Sequence, residues 1–124
     1  MLTSRLLYLG SAYSIAVIYK DENSEVLDFI SGLGETDGAH VALLIDRIRD
    51  HGPPQNIEKF RNEGEGIYSL KTKNVRIYGF FDGPKLFTLA LGFMKNAGGA
   101  RVERRYHQRA TELRASLFEE RGSL

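Results

Sequence analysis

Hydrophobic positions along this chain change their period several times, and each change marks an element. Tyr13, Ile15, Val17 and Tyr19 alternate up to Lys20, the period of a strand with one buried face. Asp21-Glu22-Asn23 then turns the chain. Ser24 is suited to cap a helix whose first turn carries Glu25. Val26, Leu27, Phe29, Ile30 and Leu33 form its apolar stripe, and Gly32-Leu33-Gly34 ends it. Thr36 is suited to cap a second helix, with Asp37 in its first turn and Val41, Leu44, Ile45 and Ile48 as its buried line. Gly52 and the pair Pro53-Pro54 stop that helix. Residues 55–66, QNIEKFRNEGEG, read as a polar connector anchored by Ile57 and Phe60.

Residues 67–96, IYSLKTKNVRIYGFFDGPKLFTLALGFMKN, read as three short strands joined by tight turns. Asn74 is the residue that tolerates positive φ in the first turn, and Asp82-Gly83 serves the second. Gly98-Gly99 breaks the chain again. A last helix is predicted from Ala100 to Glu119, with Val102, Tyr106, Ala110, Leu113 and Leu117 as its stripe. The predicted order is βααβββα. That is an α+β domain spanning residues 1–124, with an N-terminal helical hairpin, a mainly antiparallel sheet and a C-terminal helix. Residues 1–12 and 120–124 are expected to be flexible.

Composition narrows the chemistry. The chain has no cysteine, so disulfides and thiolate metal sites are excluded. His40, His51 and His107 lack zinc-ligand spacing, and neither a metal nor a cofactor is expected. His40 and His51 are expected to be structural or solvent-facing. No stretch approaches a membrane span and no clean signal peptide is visible, which leads to an expectation of a cytoplasmic protein. The net charge of +1 hides an asymmetry. Residues 1–65 carry six basic side chains against eleven acidic ones, whereas residues 66–124 carry eleven basic against five acidic. A basic half on a near-neutral protein points to a polyanionic partner.

The basic residues of the meander are the first candidates. A charged side chain within a buried strand is costly unless it reaches solvent or an anion. The meander is therefore expected to have one apolar face and one face that meets phosphate. Arg76, between Val75 and Ile77, projects from the same side as Tyr78 and Phe80, and Lys71 and Lys73 share one phase of the preceding strand. On the last helix, Arg101, Arg105 and Arg109 recur every four residues, with Arg104 and His107 on a neighbouring line. Histidine beside arginines is a side chain suited to proton exchange in phosphodiester cleavage. The simpler alternatives are an Arg76 paired with a carboxylate at the sheet rim and a His107 paired with Glu103. No GxSxG, P-loop or GxGxxG motif is present.

Several of these segments together resemble the RelE/HigB superfamily of type II toxins, in its phage-derived, HigB-like branch. The resemblance rests on Leu70-Lys71, on Val75-Arg76 with Tyr78, Phe80 and Phe81, and on Gly92-Phe93-Met94-Lys95. The charged helix from Ala100 and the opening YSIAVIYKDENSEVLDFISGL add to it, so that most of residues 13–119 is covered. Asn96 stands where the family has a second basic residue. The resemblance implies a RelE-like fold and a ribosome-dependent mRNA endoribonuclease that inhibits translation without a metal. It assigns phosphate stabilisation to Arg76, assisted by Lys71 and Lys73, and proton transfer to His107, with Tyr106 as the alternate. Lys95 is assigned to the RNA backbone, and Arg101, Arg104 and Arg105 extend the RNA-binding surface. The implied partners are mRNA on the ribosome and a helix-turn-helix, HigA-like antitoxin, with no membrane; a homodimer is compatible with this reading. The alternative is a non-catalytic interaction or RNA-binding protein of phage or plasmid origin on the same scaffold.

Overall fold

The longest strand, LFTLALGFM, apolar apart from Thr88, lies inside the sheet, because its backbone and both its faces need cover. In the computed structural model, which describes residues 1–122, nine elements follow one another. They are β1 (Leu2–Tyr8), β2 (Ser14–Lys20), α1 (Glu25–Ser31), α2 (Glu35–His51), β3 (Phe60–Gly64), β4 (Ile67–Lys71), β5 (Val75–Phe81), β6 (Leu86–Met94) and α3 (Gly99–Gly122). The strands form one six-stranded sheet in the order β1-β2-β6-β5-β4-β3. β2 and β6 run parallel, with Ile15 opposite Phe87 and Val17 opposite Leu89, and the other four ladders are antiparallel.

This architecture corrects the expected βααβββα order. The sheet is mixed and has two strands that the order omits, so the chain begins with a β-hairpin and not with a single strand before the helices. β1 occupies residues that were expected to be flexible. Its backbone pairs with β2 from Leu2↔Lys20 to Tyr8↔Ile15, while most of its side chains stay at least partly exposed. β3 occupies part of the polar connector. Only Phe60 of its five residues is buried, as suits an edge strand that presents Arg61 and Asn62 outward. In both strands the backbone ladder holds the element with little help from a hydrophobic pattern. At the other end, residues 120–122 belong to α3, and the expectation for 123–124 lies outside the described residues.

Helices cover both faces of the sheet. On one, Ile15, Val17, Val75, Ile77, Phe87 and Leu89 pack with Val26 of α1 and with Val41, Leu44, Ile45 and Ile48 of α2. On the other, Ile18, Ile67, Tyr78, Phe80, Leu91 and Phe93 pack with Ala110 and Leu117 of α3, flanked by Val102, Tyr106 and Leu113. The meander therefore has no open phosphate-facing side, since the stripe of α3 covers it. The charged side chains of the meander reach solvent around the margins of the sheet. Gly79 lets β5 lie close against β6, because a Cβ there would stand 2.4 Å from the Thr88 carbonyl oxygen and 2.7 Å from the Phe87 ring.

Two local expectations change as well. Ser24 caps α1, accepting from the Leu27 amide at 3.3 Å, but α2 starts after Gly34 without a side-chain cap, so Thr36 lies inside the helix. Asn74 does not take a positive φ; its amide instead donates to Asp37 at 3.0 Å and ties the β4–β5 turn to α2. Gly83 does take the left-handed conformation (φ 88°) in the β5–β6 turn.

Candidate functional site

Three elements converge at the β3 end of the α3 face. The β3–β4 hairpin bends through Gly64, Glu65 and Gly66, all at positive φ, and Asn62 Oδ1 accepts from the Gly64 amide at 2.9 Å. This sharp turn leaves the Gly64 carbonyl directed at α3. His107 Nε2 donates to that oxygen at 3.0 Å. A carbonyl only accepts, so Nε2 carries the hydrogen and Nδ1 is the nitrogen left to exchange a proton.

Around this contact lies a cleft of about 460 Å³, lined by Glu63, Tyr78, Glu103, Arg104, His107 and Gln108, with Ala100 at its edge. Glu63, the residue before Gly64, brings a carboxylate into the same cleft as the imidazole. One of its oxygens accepts from the Ser69 hydroxyl at 2.6 Å, which fixes the carboxylate and leaves the second oxygen for other partners. The Tyr78 ring stands edge-on to His107, with centroids 6.4 Å apart. Its phenol is pushed up to about 12, first by burial and then by the negative charge of Glu63 and Glu103, with Arg76 and Arg61 acting in the opposite sense. Tyr78 is therefore a hydrogen-bond donor at neutral pH and not a base.

The structure sorts the residues expected from sequence into distinct places. His107 and Arg104 line the cleft. Arg76 lies two positions before Tyr78 on the same strand face, close enough to influence its phenol. Its guanidinium donates to the carbonyls of Thr72 (2.7 Å) and Val75 (3.0 Å), and it makes no ion pair among the described residues. Arg76 thus carries an unneutralised charge at the sheet margin, and the carboxylate partner considered for it is not the one found. His107 likewise turns to the Gly64 carbonyl instead of Glu103. Lys95, Arg101 and Arg105 are exposed beyond the cleft, at the end of β6 and along α3. Lys71 pairs with Arg76 across the β4–β5 ladder, but it lines a different groove together with Lys73, against α2. Tyr106 stacks on Phe93 at 4.5 Å and does not line the cleft. His40 and His51 are exposed.

Glu63 was missed from sequence, and Glu103 was considered only as an ion-pair partner of His107. The available signal was Asn62-x-Gly64-x-Gly66 between Phe60 and Ile67, a hairpin turn that would have identified β3 and set Glu63 opposite the last helix. Among the described residues no group of histidines and carboxylates is arranged to hold a metal ion, and no helix is long and apolar enough to cross a membrane. Comparison with protein-family models and with curated proteins finds no match for this chain.

Proposed function

We propose that this protein is a metal-independent endoribonuclease that cuts mRNA on the ribosome, acting in the cytoplasm as the toxin of a type II toxin-antitoxin pair. The observation that carries the chemistry is the juxtaposition of Glu63, His107 and Arg104 in one cleft, with Arg76 beside it. In this reading the free oxygen of Glu63 takes the proton from an RNA 2′-hydroxyl. The 2′-oxygen then bonds to the adjacent phosphorus as the bond to the 5′-oxygen breaks. A protonated Nδ1 of His107 gives its proton to that leaving oxygen, so the products are a 2′,3′-cyclic phosphate and a 5′-hydroxyl. Arg104 and Arg76 stabilise the charge that develops on the phosphorane oxygens. Tyr78 donates a hydrogen bond to the same phosphate. Lys95, Arg101 and Arg105 follow the RNA backbone outside the cleft. The resemblance of residues 67–96 and of the last helix to the toxin family supports the choice of mRNA as substrate and of an antitoxin as partner.

The test is inducible expression of the wild type beside His107→Ala, Glu63→Gln and Arg76→Ala, followed by translation rate and mapping of mRNA 5′ ends. The expected result is growth arrest with new 5′-hydroxyl ends for the wild type. Loss of His107 or of the Glu63 charge is expected to slow cleavage by about 10²–10⁴-fold, the usual contribution of a positioned acid or base. Folded wild-type protein that causes neither arrest nor new ends overturns the proposal. RNA binding without cleavage in that case selects the non-catalytic reading.

A further inference from the structure

A second concavity opens on the opposite side of the sheet margin, between α2 and the ends of β3 and β4. Its volume is about 700 Å³. One wall is a single line of α2, His40, Leu43, Leu44 and Arg47, at helical spacing. Lys59, Lys71 and Lys73 form the facing wall, and residues 54–56 close one end. Among the described residues no aspartate or glutamate lines it. Arg47, Lys59 and Lys73 make no ion pair among the described residues, and the Lys71 ammonium reaches only the Ile57 carbonyl at 3.4 Å, which leaves its charge uncompensated. Between these charges lies aliphatic surface. Leu43 is 67% exposed in the middle of the groove, and Ile57 is equally exposed on the adjoining loop.

The combination selects the occupant. Single-stranded nucleic acid would use the cations, but it binds through several bases stacked on aromatic rings, and among the described residues this groove offers only the His40 imidazole and no Phe, Tyr or Trp. Aliphatic residues ringed by unpaired cations match an amphipathic peptide whose apolar residues are flanked by Asp and Glu. We infer that the α2 groove docks an acidic amphipathic segment of a protein partner. Its apolar side chains cover Leu43, and its carboxylates meet Arg47, Lys59 and Lys73. The inference rests on this groove alone and does not require the cleavage chemistry of the His107 cleft.

The probe is a displayed library of random peptides, selected on the full-length protein and counter-screened on Leu43→Glu and on the double variant Arg47→Glu/Lys59→Glu. All three positions are exposed, and circular dichroism with Tm establishes that the variants fold. The expected result is enrichment of peptides that alternate acidic and aliphatic residues. Both variants should weaken their binding by about tenfold or more, whereas His107→Ala leaves it unchanged. Enriched peptides without an acidic bias, no enrichment, or binding that the groove variants do not weaken would each overturn the inference. So would a single-stranded RNA whose binding is lost in the groove variants and which displaces the peptides.

Discussion

Tyr78 concentrates much of the local physics of this protein. Its ring belongs to the core beneath α3, yet its edge lines the cleft, and burial near two carboxylates keeps its phenol neutral far into the alkaline range. The sign of the consequence follows from linkage. The folded phenol holds its proton more tightly than the unfolded one, so its contribution to stability is complete below the ordinary value of 10.0 and is lost as pH rises towards about 12. Tyr78→Phe is expected to remove this alkaline loss, and urea unfolding of wild type and variant at neutral pH and at about pH 11 measures it. A variant that loses stability with pH as steeply as the wild type would show that another group governs the alkaline limb. At this scale the candidate site was half legible. His107, Arg104 and Arg76 announce themselves as basic or titratable residues within an arginine-rich half. Glu63 does not, because one glutamate among eleven acidic residues of the N-terminal half has no distinguishing pattern until the hairpin turn brings it to α3.

Elements differ in how strongly they are written into the chain. α1, α2, α3 and the meander carry repeated apolar positions, and each is found close to where its stripe predicts. β1 and β3 are the two edges of the sheet and are held mainly by backbone pairing. Edge strands keep one row of backbone groups in solvent and need few buried side chains, so they leave little periodic signal. β1 nevertheless covers the outer edge of β2, whose residues 15–18 are all buried. Removing residues 1–9 is expected to expose that apolar edge, and therefore to lower Tm and to produce oligomers on size-exclusion chromatography. A truncated chain that remained monomeric with the wild-type Tm would show that β1 is dispensable. The ion pair Arg109–Glu25 (2.7 Å) joins α3 to α1, which lie on opposite faces of the sheet. Both side chains are substantially exposed, so the pair orients more than it stabilises, at roughly 0.2–1 kcal/mol.

For the whole molecule, the basic half of the chain does not form one surface. α3 carries Arg101, Arg104 and Arg105 at exposed positions, of which Arg104 lines the His107 cleft, and Lys95 is exposed just after β6, while Lys71 and Lys73 join Arg47 and Lys59 from the acidic half in the α2 groove. Two cationic regions on either side of one sheet margin allow two partners to be engaged at different places. If RNA follows α3, Arg101→Ala/Arg105→Ala should flatten the dependence of log affinity on log salt by about 1.4 for single-stranded RNA. Fluorescence anisotropy of a labelled oligonucleotide over a salt series checks this, and an unchanged slope would remove both arginines from the interface.

Local patterning was enough to mark the three helices and the meander, because apolar stripes act over a few positions of the chain. Sheet order, the parallel pairing of β2 with β6 and the division of the cations between two sites follow from contacts between residues distant in sequence. They depend on which faces could be buried together. Arg76 and Lys71 illustrate the boundary. Their phase along the strands was readable from alternation, but only the packing of the helices decided where each side chain lies, Arg76 near Tyr78 under α3 and Lys71 in the groove against α2.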